Sequence, residues 1–246
     1  MIHIGKNISS AYSNFFDCKQ MFEWREKLYS IYSRMRSKKD EYIVRCDDID
    51  IIVLPNVYAP CFFTDSLWFA NILPGIVGKD TFLEIGCGTG ILSVKCALNG
   101  AQVVATDINP DAIRNTKMNA ELNQVDVKAL EGSIYAPLRS NERFNFIFWA
   151  HPFNNADYPV DDMLLMSGFD YNYNGLKEYV RGASEHLNKE GRLLLGSGST
   201  ADLLEIEKIA LDNGYSLRVL KSIDMLLEDG GDANITYLLI EFISEK

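Results

Sequence analysis

The sequence contains no long hydrophobic run, and no uninterrupted apolar stretch approaches the roughly 20 residues that a membrane-spanning helix needs. Its first ten residues also lack the charged and then apolar order of a secretory signal. From these two absences we expect a cytoplasmic protein with no membrane partner.

Metal-binding patterns are missing as well. The cysteines are odd in number, form no C-x-x-C pair and have no histidine cluster beside them. They are Cys18, Cys46, Cys61, Cys87 and Cys96. This pattern predicts reduced thiols and no metal site.

Positive charge is scarce. The chain has 24 Lys and Arg residues against 34 Asp and Glu residues, which gives a net charge of -10. Because an acidic surface repels a phosphate backbone, nucleic acid is not an expected partner. One basic run, Arg34, Arg36, Lys38 and Lys39, departs from this balance. No aromatic residues are interleaved with it, so we interpret it as a solvated helix end.

The first quarter of the chain predicts an appendage. A hydrophobic content of 47% in 246 residues allows one substantial core plus an extension. Residues 14–35 carry apolar side chains at three- and four-residue steps, which predicts an amphipathic helix. Two β-rich runs at 42–45 and 49–54 predict a hairpin. We therefore expect an N-terminal extension of residues 1–60 and a main domain of residues 61–246.

The main domain begins with a helical pattern over residues 60–73, and then strands alternate with helices. Strands are predicted at residues 82–85, 102–107, 125–130, 144–150 and 192–195, and helices at 90–98, 110–122, 176–187 and 201–213. Such β-α repeats form a parallel sheet covered on both faces. The last two runs, 216–220 and 235–242, have no helix between them and predict a closing antiparallel pair. The expected fold is α/β, with a doubly wound, mostly parallel seven-stranded sheet.

A glycine-rich loop directly follows the strand at 82–85. It reads Glu84-Ile85-Gly86-Cys87-Gly88-Thr89-Gly90, and its glycines let a ligand lie against main-chain atoms. A dinucleotide-binding loop would place its third glycine at position 91, which is Ile91. The spacing instead resembles the S-adenosylmethionine (SAM) motif of class I methyltransferases, which have a Rossmann-like fold. The resemblance implies SAM as the cofactor, with Glu84, Gly86, Cys87, Gly88 and Gly90 among the residues that bind it.

Two further positions agree with a cofactor site. Asp107 ends the next predicted strand, where a carboxylate can accept hydrogen bonds from ribose hydroxyls. It is also well placed to cap the helix that Pro110 begins. After the third strand, Ser133 either contacts the adenine ring or lies in a turn, and Ile108 follows Asp107 at the site.

The fourth strand ends in the tetrapeptide Ala150-His151-Pro152-Phe153. Its position matches the N-P-P-Y motif of amino- and amide-methyltransferases. Upstream, Tyr58 and Asp65 belong to segments that resemble the V-Y-x-P and D-[ST] motifs of the release-factor glutamine-N5 methyltransferases, and we include both residues in the cofactor site. Downstream, residues 167–176 resemble that family's G-G-x-D-G-L stretch with an insertion of four residues.

The tetrapeptide departs from the family motif in two places. In the family, the motif's asparagine and an adjacent proline carbonyl accept the hydrogens of the target amide. Here Ala150 replaces the asparagine and His151 replaces the first proline, whereas Pro152 and Phe153 keep the pattern. We therefore expect N-methylation of a small-molecule or amino-acid-like amine, with His151 either as the base or as a structural hydrogen-bonding residue.

Three other functions stay open. The chain can be a SAM-consuming cyclase that releases methylthioadenosine, a protein glutamine-N5 methyltransferase, or a non-catalytic SAM-binding subunit. Aromatic residues of the extension, among them Tyr12, Phe15, Phe16, Trp24 and Tyr29, either form a lid over the cofactor or pack the helix against the domain. The oligomeric state is open.

Overall fold

The computed structural model describes residues 18–245, and the side chains from residue 23 onward. The predicted helical residues 14–17 and the aromatic residues Tyr12, Phe15 and Phe16 lie outside this range. Within it, no helix is long and apolar enough to cross a membrane.

Helices and strands alternate through most of the chain. In chain order they are α1 (Cys18–Ser37), β1 (Tyr42–Cys46), β2 (Ile49–Val53), α2 (Asp65–Val77), β3 (Thr81–Ile85), α3 (Ile91–Leu98), β4 (Gln102–Asp107), α4 (Pro110–Leu122), β5 (Val127–Glu131), β6 (Phe144–Ala150), β7 (Asn154–Ala156), α5 (Met163–Met166), β8 (Phe169–Tyr171), α6 (Asn174–His186), β9 (Leu187–Gly198), α7 (Leu203–Asp212), β10 (Tyr215–Leu226) and β11 (Asn234–Ser244).

Seven strands form one central sheet in the order β10-β11-β9-β6-β3-β4-β5. The strands from β9 to β5 run parallel, and β11 lies antiparallel between β9 and β10. The predicted fold and its closing antiparallel pair are therefore confirmed. The chain leaves β3 in one direction for β4 and later returns to its other side as β6, so the crevice for a ligand opens at the carboxyl ends of β3 and β6.

The sheet is buried on both faces. In β6, Phe146 and Phe148 pack into one apolar cluster, whereas Ile147 and Trp149 pack into the other. This two-sided burial explains why β6 is an almost continuous apolar run and not an alternating one.

The hairpin β1–β2 is attached to α4 by two buried asparagines. The side chains of Asn115 and Asn119 accept hydrogen bonds from the backbone N–H groups of Leu54 (2.9 Å) and Ile52 (2.7 Å). Both amide groups also donate to the Ile52 carbonyl oxygen, at 2.7 Å each. These bonds satisfy β2 backbone groups and hold the hairpin on the main domain.

Helix α1 is held against loops of the main domain by ion pairs. Lys27 pairs with Asp232, Arg34 pairs with Glu228, and Arg36 pairs with Asp162 at 2.7 Å. Its apolar face, which includes Ile31 and Tyr32, is buried. Two residues of the basic run thus bond to loops of the domain, in contrast to the expected solvated helix end.

Two local features differ from the sequence-based expectation. Helix α2 begins at Asp65 and continues through Pro74 to Val77, where the backbone N–H of Gly78 donates to the Pro74 carbonyl oxygen at 2.9 Å. Between β6 and α6, the short elements β7, α5 and β8 form a small substructure that no periodic pattern predicted.

Candidate active site

A cavity of about 430 Å³ lies at the carboxyl ends of β3, β4 and β6. It brings the glycine loop and the tetrapeptide together, because Ile85 at the end of β3 pairs with Trp149 at the end of β6. Every predicted site residue except Gly90 lines it. These residues are Tyr58, Asp65, Glu84, Gly86, Cys87, Gly88, Asp107, Ile108, Ser133, Ala150, His151, Pro152 and Phe153.

The glycine loop turns through left-handed backbone angles. Gly86 has φ 64°, and a Cβ atom there would lie 2.8 Å from Trp149 Nε1. Gly90 has φ 78° and begins α3, where a Cβ atom would lie 2.7 Å from Thr116 Oγ1. Gly90 therefore allows α3 and α4 to pack closely, and its backbone lies away from the cavity wall.

Asp107 organises the backbone around the cavity. Its carboxylate accepts hydrogen bonds from the N–H groups of Gly88 and Asn109, both at 2.9 Å. Burial raises the pKa of Asp107, and these backbone bonds partly offset the effect. The cap of α4 is instead Asn109, whose side chain accepts from the Asp111 N–H at 3.0 Å. The capping role considered for Asp107 thus belongs to Asn109, and ribose binding by Asp107 stays a prediction.

Two further predicted cofactor-site residues, Ile108 and Ser133, line the cavity. Ile108 is 43% exposed although it lines the cavity. Ser133 also lines the cavity, and its carbonyl oxygen accepts a turn hydrogen bond from the Ala136 N–H at 2.8 Å. Ser133 therefore lies in a turn and faces the cavity at once.

Two buried carboxyl groups lie at the inner end of the cavity. Burial raises the pKa of Glu84 to about 8, and its carboxyl group accepts a hydrogen bond from Ser93 Oγ. Burial raises the pKa of Asp65 to about 6, although Tyr58 and the Ser66 N–H both donate to Asp65 Oδ1, at 3.2 and 2.7 Å. Desolvation is the common cause, since a charged carboxylate loses its water in this environment.

His151 is buried at the cavity wall with a neutral ring. It is 1% exposed, and its Nε2 lies 3.0 Å from Ser197 Oγ, whereas Nδ1 has no hydrogen-bond partner among the described residues. Burial lowers the pKa of His151 to about 3, and the nearby Pro152 backbone offsets only part of this effect. A ring with so low a pKa is a weak acceptor for the proton of an ammonium group near neutral pH, so burial favours the structural reading of His151, and both readings stay predictions.

Tyr173 is a site residue that the sequence did not indicate. Its hydroxyl donates to the Phe153 carbonyl oxygen at 2.7 Å and accepts from the Asp202 N–H at 3.1 Å. The ring meets His151 edge-on, with centroids 5.5 Å apart. Tyr173 lies within the four-residue insertion and has φ 49°, so the insertion was the only available signal.

Helix α1 covers one side of the cavity. Trp24, Leu28 and Tyr32 line it. Tyr29 stacks on the lining residue Phe169, and its hydroxyl lies 2.7 Å from that of Tyr158. Tyr32 also hydrogen-bonds to Ser167 Oγ at 3.2 Å. This position suits the predicted lid, which stays a proposal together with the division at residue 60.

Comparison with known proteins agrees with this site. The family described as methyltransferase small domain matches residues 64–206. A Methanocaldococcus jannaschii protein, whose name assigns it to the protein N5-glutamine methyltransferases, is 31% identical over 174 residues, which are 68% of this chain and 85% of that protein. The release factor glutamine methyltransferase of Deinococcus radiodurans is 40% identical over 79 residues, 31% of this chain and 28% of that protein.

Relatives that methylate RNA also match. The ribosomal RNA small subunit methyltransferase C of Erwinia tasmaniensis is 27% identical over 158 residues, which are 63% of this chain and 41% of that protein. Among solved structures, a 16S rRNA methyltransferase of T. thermophilus in complex with AdoMet and guanosine has a TM-score of 0.58 at 18% identity. The superposition covers 83% of this chain and 50% of that chain, and it shows the shared fold.

These relatives contradict two expectations about partners. Their names specify proteins and ribosomal RNA, so the similarity indicates macromolecular substrates and contradicts the expectation of a small-molecule substrate with no nucleic-acid partner. Net charge describes the average surface and does not identify the molecule bound at one cavity.

The lining of the cavity fits SAM, whose sulfonium and amino groups are positively charged. The buried carboxyl groups of Asp65 and Glu84 and the partly buried carboxyl group of Asp107 line it, and no described lysine or arginine does. The family match, the relatives and this lining lead to one conclusion: the chain belongs to the methyltransferase small domain family and is a SAM-dependent methyltransferase of class I.

Proposed function

We propose that the protein transfers a methyl group to the side-chain nitrogen of a glutamine in a protein. The neutral, buried His151 is the observation that carries this proposal. The names of the relatives from M. jannaschii and D. radiodurans, which specify glutamine methylation, support the same substrate class.

The protonation state of His151 distinguishes two kinds of nitrogen. An aliphatic amine is an ammonium ion near neutral pH and needs a base of comparable strength before it can react. An amide nitrogen carries no charge and needs no prior deprotonation. It becomes strongly acidic once its fourth bond forms, so even a weak base such as a neutral imidazole ring can accept its proton.

Bound SAM supplies the electrophilic methyl group. The residues of the chain supply orientation and a dry environment, which are the main protein contributions to such a transfer. Phe153 borders the cavity with its ring, and the backbone beside it is held by Tyr173. Ala150 adds no polar group, so His151 is the polar side chain of this tetrapeptide, and its buried Nδ1 atom has no hydrogen-bond partner among the described residues.

The proposal is tested with a purified peptide-chain release factor and methyl-labelled SAM. We expect one methyl group on a glutamine side chain, located by fragment mass spectrometry, and no label after that glutamine is changed to alanine. Asp107→Ala should lower the label when SAM is limiting, whereas Asp212→Ala, an exposed change on α7, should not. Label on ribosomal RNA instead of protein, or methylthioadenosine released from SAM alone, would contradict the proposal.

A further inference from the structure

We propose that the outer rim of the cavity is the docking surface for a cationic segment of the protein substrate, next to its target glutamine. This inference rests on the proposed function. The outer rim consists of Tyr29, Tyr158, Met163 and Tyr171, which are 37%, 47%, 43% and 37% exposed. Met163 and Tyr171 line the cavity, and Tyr29 and Tyr158 adjoin it through the contact of Tyr29 with the lining residue Phe169. Large apolar side chains grouped in this way at a site entrance are typical of a binding surface.

The outer rim is held in place before any partner binds. Tyr29 stacks on Phe169, with ring centroids 5.7 Å apart, and its hydroxyl lies 2.7 Å from that of Tyr158. The pairing of β7 with β8 places Ala156 opposite Tyr171, which brings Tyr158 and Tyr171 to the same end of this small sheet. A preformed aromatic surface loses little conformational entropy on binding.

The outer rim is continuous with the catalytic cavity. Met163 and Tyr171 are exposed to solvent, and both also line the cavity that contains the tetrapeptide. A chain lying on the outer rim can therefore place one side chain inside without leaving the surface. Tyr171 belongs to the four-residue insertion, so this part of the surface is a departure of this sequence from the family pattern.

Charge identifies the occupant. Asp157 and Asp161 flank Tyr158, are exposed, and form no ion pair with any described residue, whereas the neighbouring Asp162 pairs with Arg36. On α1, Arg25 and Glu26 near Tyr29 contribute one charge of each sign. The net local charge is negative, and tyrosine rings attract cations through their faces. Lysine or arginine side chains fit this surface, whereas phosphate groups would face uncompensated carboxylates.

The test measures binding, and it does not depend on turnover. Two labelled peptides of equal length carry one central glutamine, flanked by lysines in one and by glutamates in the other. Their dissociation constants are measured by fluorescence anisotropy on the full chain loaded with S-adenosylhomocysteine. We expect the lysine peptide to bind about tenfold more tightly at low salt, and the preference to shrink as ionic strength rises.

Charge reversal at the outer rim provides the matched comparison. The double variant Asp157→Lys and Asp161→Lys should lose or reverse the preference. Asp126→Lys with Asp212→Lys, which makes the same change in net charge just before β5 and β10 and outside the cavity lining, should keep it. Equal binding of the two peptides, the same loss in both double variants, or tighter binding of a single-stranded RNA oligonucleotide than of either peptide would overturn the docking surface. Failure to methylate any release factor would instead overturn the proposed function, so the two failures are distinguishable.

Discussion

Removal of one hydroxyl group, in the variant Tyr173→Phe, tests whether the insertion orients the catalytic tetrapeptide. The hydroxyl joins the Phe153 carbonyl oxygen (2.7 Å) to the Asp202 N–H (3.1 Å), and the residue is fully buried. Leaving buried partners unsatisfied costs about 1 to 3 kcal/mol. For a chain of this size, the melting temperature should fall by roughly 2 to 4 °C for each kcal/mol.

The effect on catalysis should exceed the effect on stability. The Phe153 backbone carries the ring that borders the cavity, and a small displacement of a positioned group lowers kcat by about tenfold or more. The affinity for SAM, measured by calorimetry, should not change, because Tyr173 does not line the cavity.

Tyr179→Phe is the matched control. Tyr179 is also fully buried, and its hydroxyl donates to the Leu194 carbonyl oxygen at 2.6 Å, but it does not line the cavity. We expect a similar loss of thermal stability with kcat preserved. If both variants lose the same fraction of kcat, or if Tyr173→Phe keeps the wild-type kcat, the positioning role of Tyr173 is refuted.

Three further predictions concern the cavity. Asp107→Ala should weaken SAM binding about tenfold or more in calorimetry, since Asp107 holds Gly88 and lines the cavity; unchanged affinity would remove it from the site. His151→Ala should lower kcat about tenfold or more at unchanged SAM affinity, and a wild-type rate would return His151 to a structural role. Because the pKa of Glu84 is raised to about 8, its protonated carboxyl group contributes to the stability of the fold. The contribution is complete below pH 4.5 and is lost as pH rises through about 8. As pH rises from 6 to 9, the unfolding free energy measured by urea titration should therefore fall less for Glu84→Gln than for the wild type. Equal falls would contradict the raised pKa of Glu84.

Elements with strong local signals could be predicted from the sequence. The bounds of α4 agree with the expectation, because Asn109 and Pro110 form a clear start signal and the apolar residues have a regular period. Strand β6 agrees as well, since a fully apolar run of this length suits a central parallel strand. The elements β7, α5 and β8 have three or four residues each, too few to produce a period.

The chemistry of the site could be predicted only in part. The glycine loop and Asp107 are local in sequence, so their positions at the cavity followed from the strand order. The state of His151 could not be predicted, because its low pKa results from burial among residues distant in sequence, including Tyr173 and Ser197. The role of Tyr173 could not be predicted either, because it depends on the hydrogen bond to the Phe153 carbonyl oxygen, which only the structure shows.

The bonds between the hairpin and α4 restrict how this protein can be divided. Asn119 donates both to the Ile52 carbonyl oxygen and to the Thr89 carbonyl oxygen of the glycine loop, at 2.7 and 2.9 Å. In a shortened protein that begins at residue 61, the buried side chains of Asn115 and Asn119 would lose their hydrogen bonds to Leu54 and Ile52. Asn119 would keep only its bonds on the main domain, next to the cofactor loop. The N-terminal extension is therefore not an interchangeable recognition module. An exchange of extensions between relatives would have to include α4, and with it the wall that supports the cofactor loop.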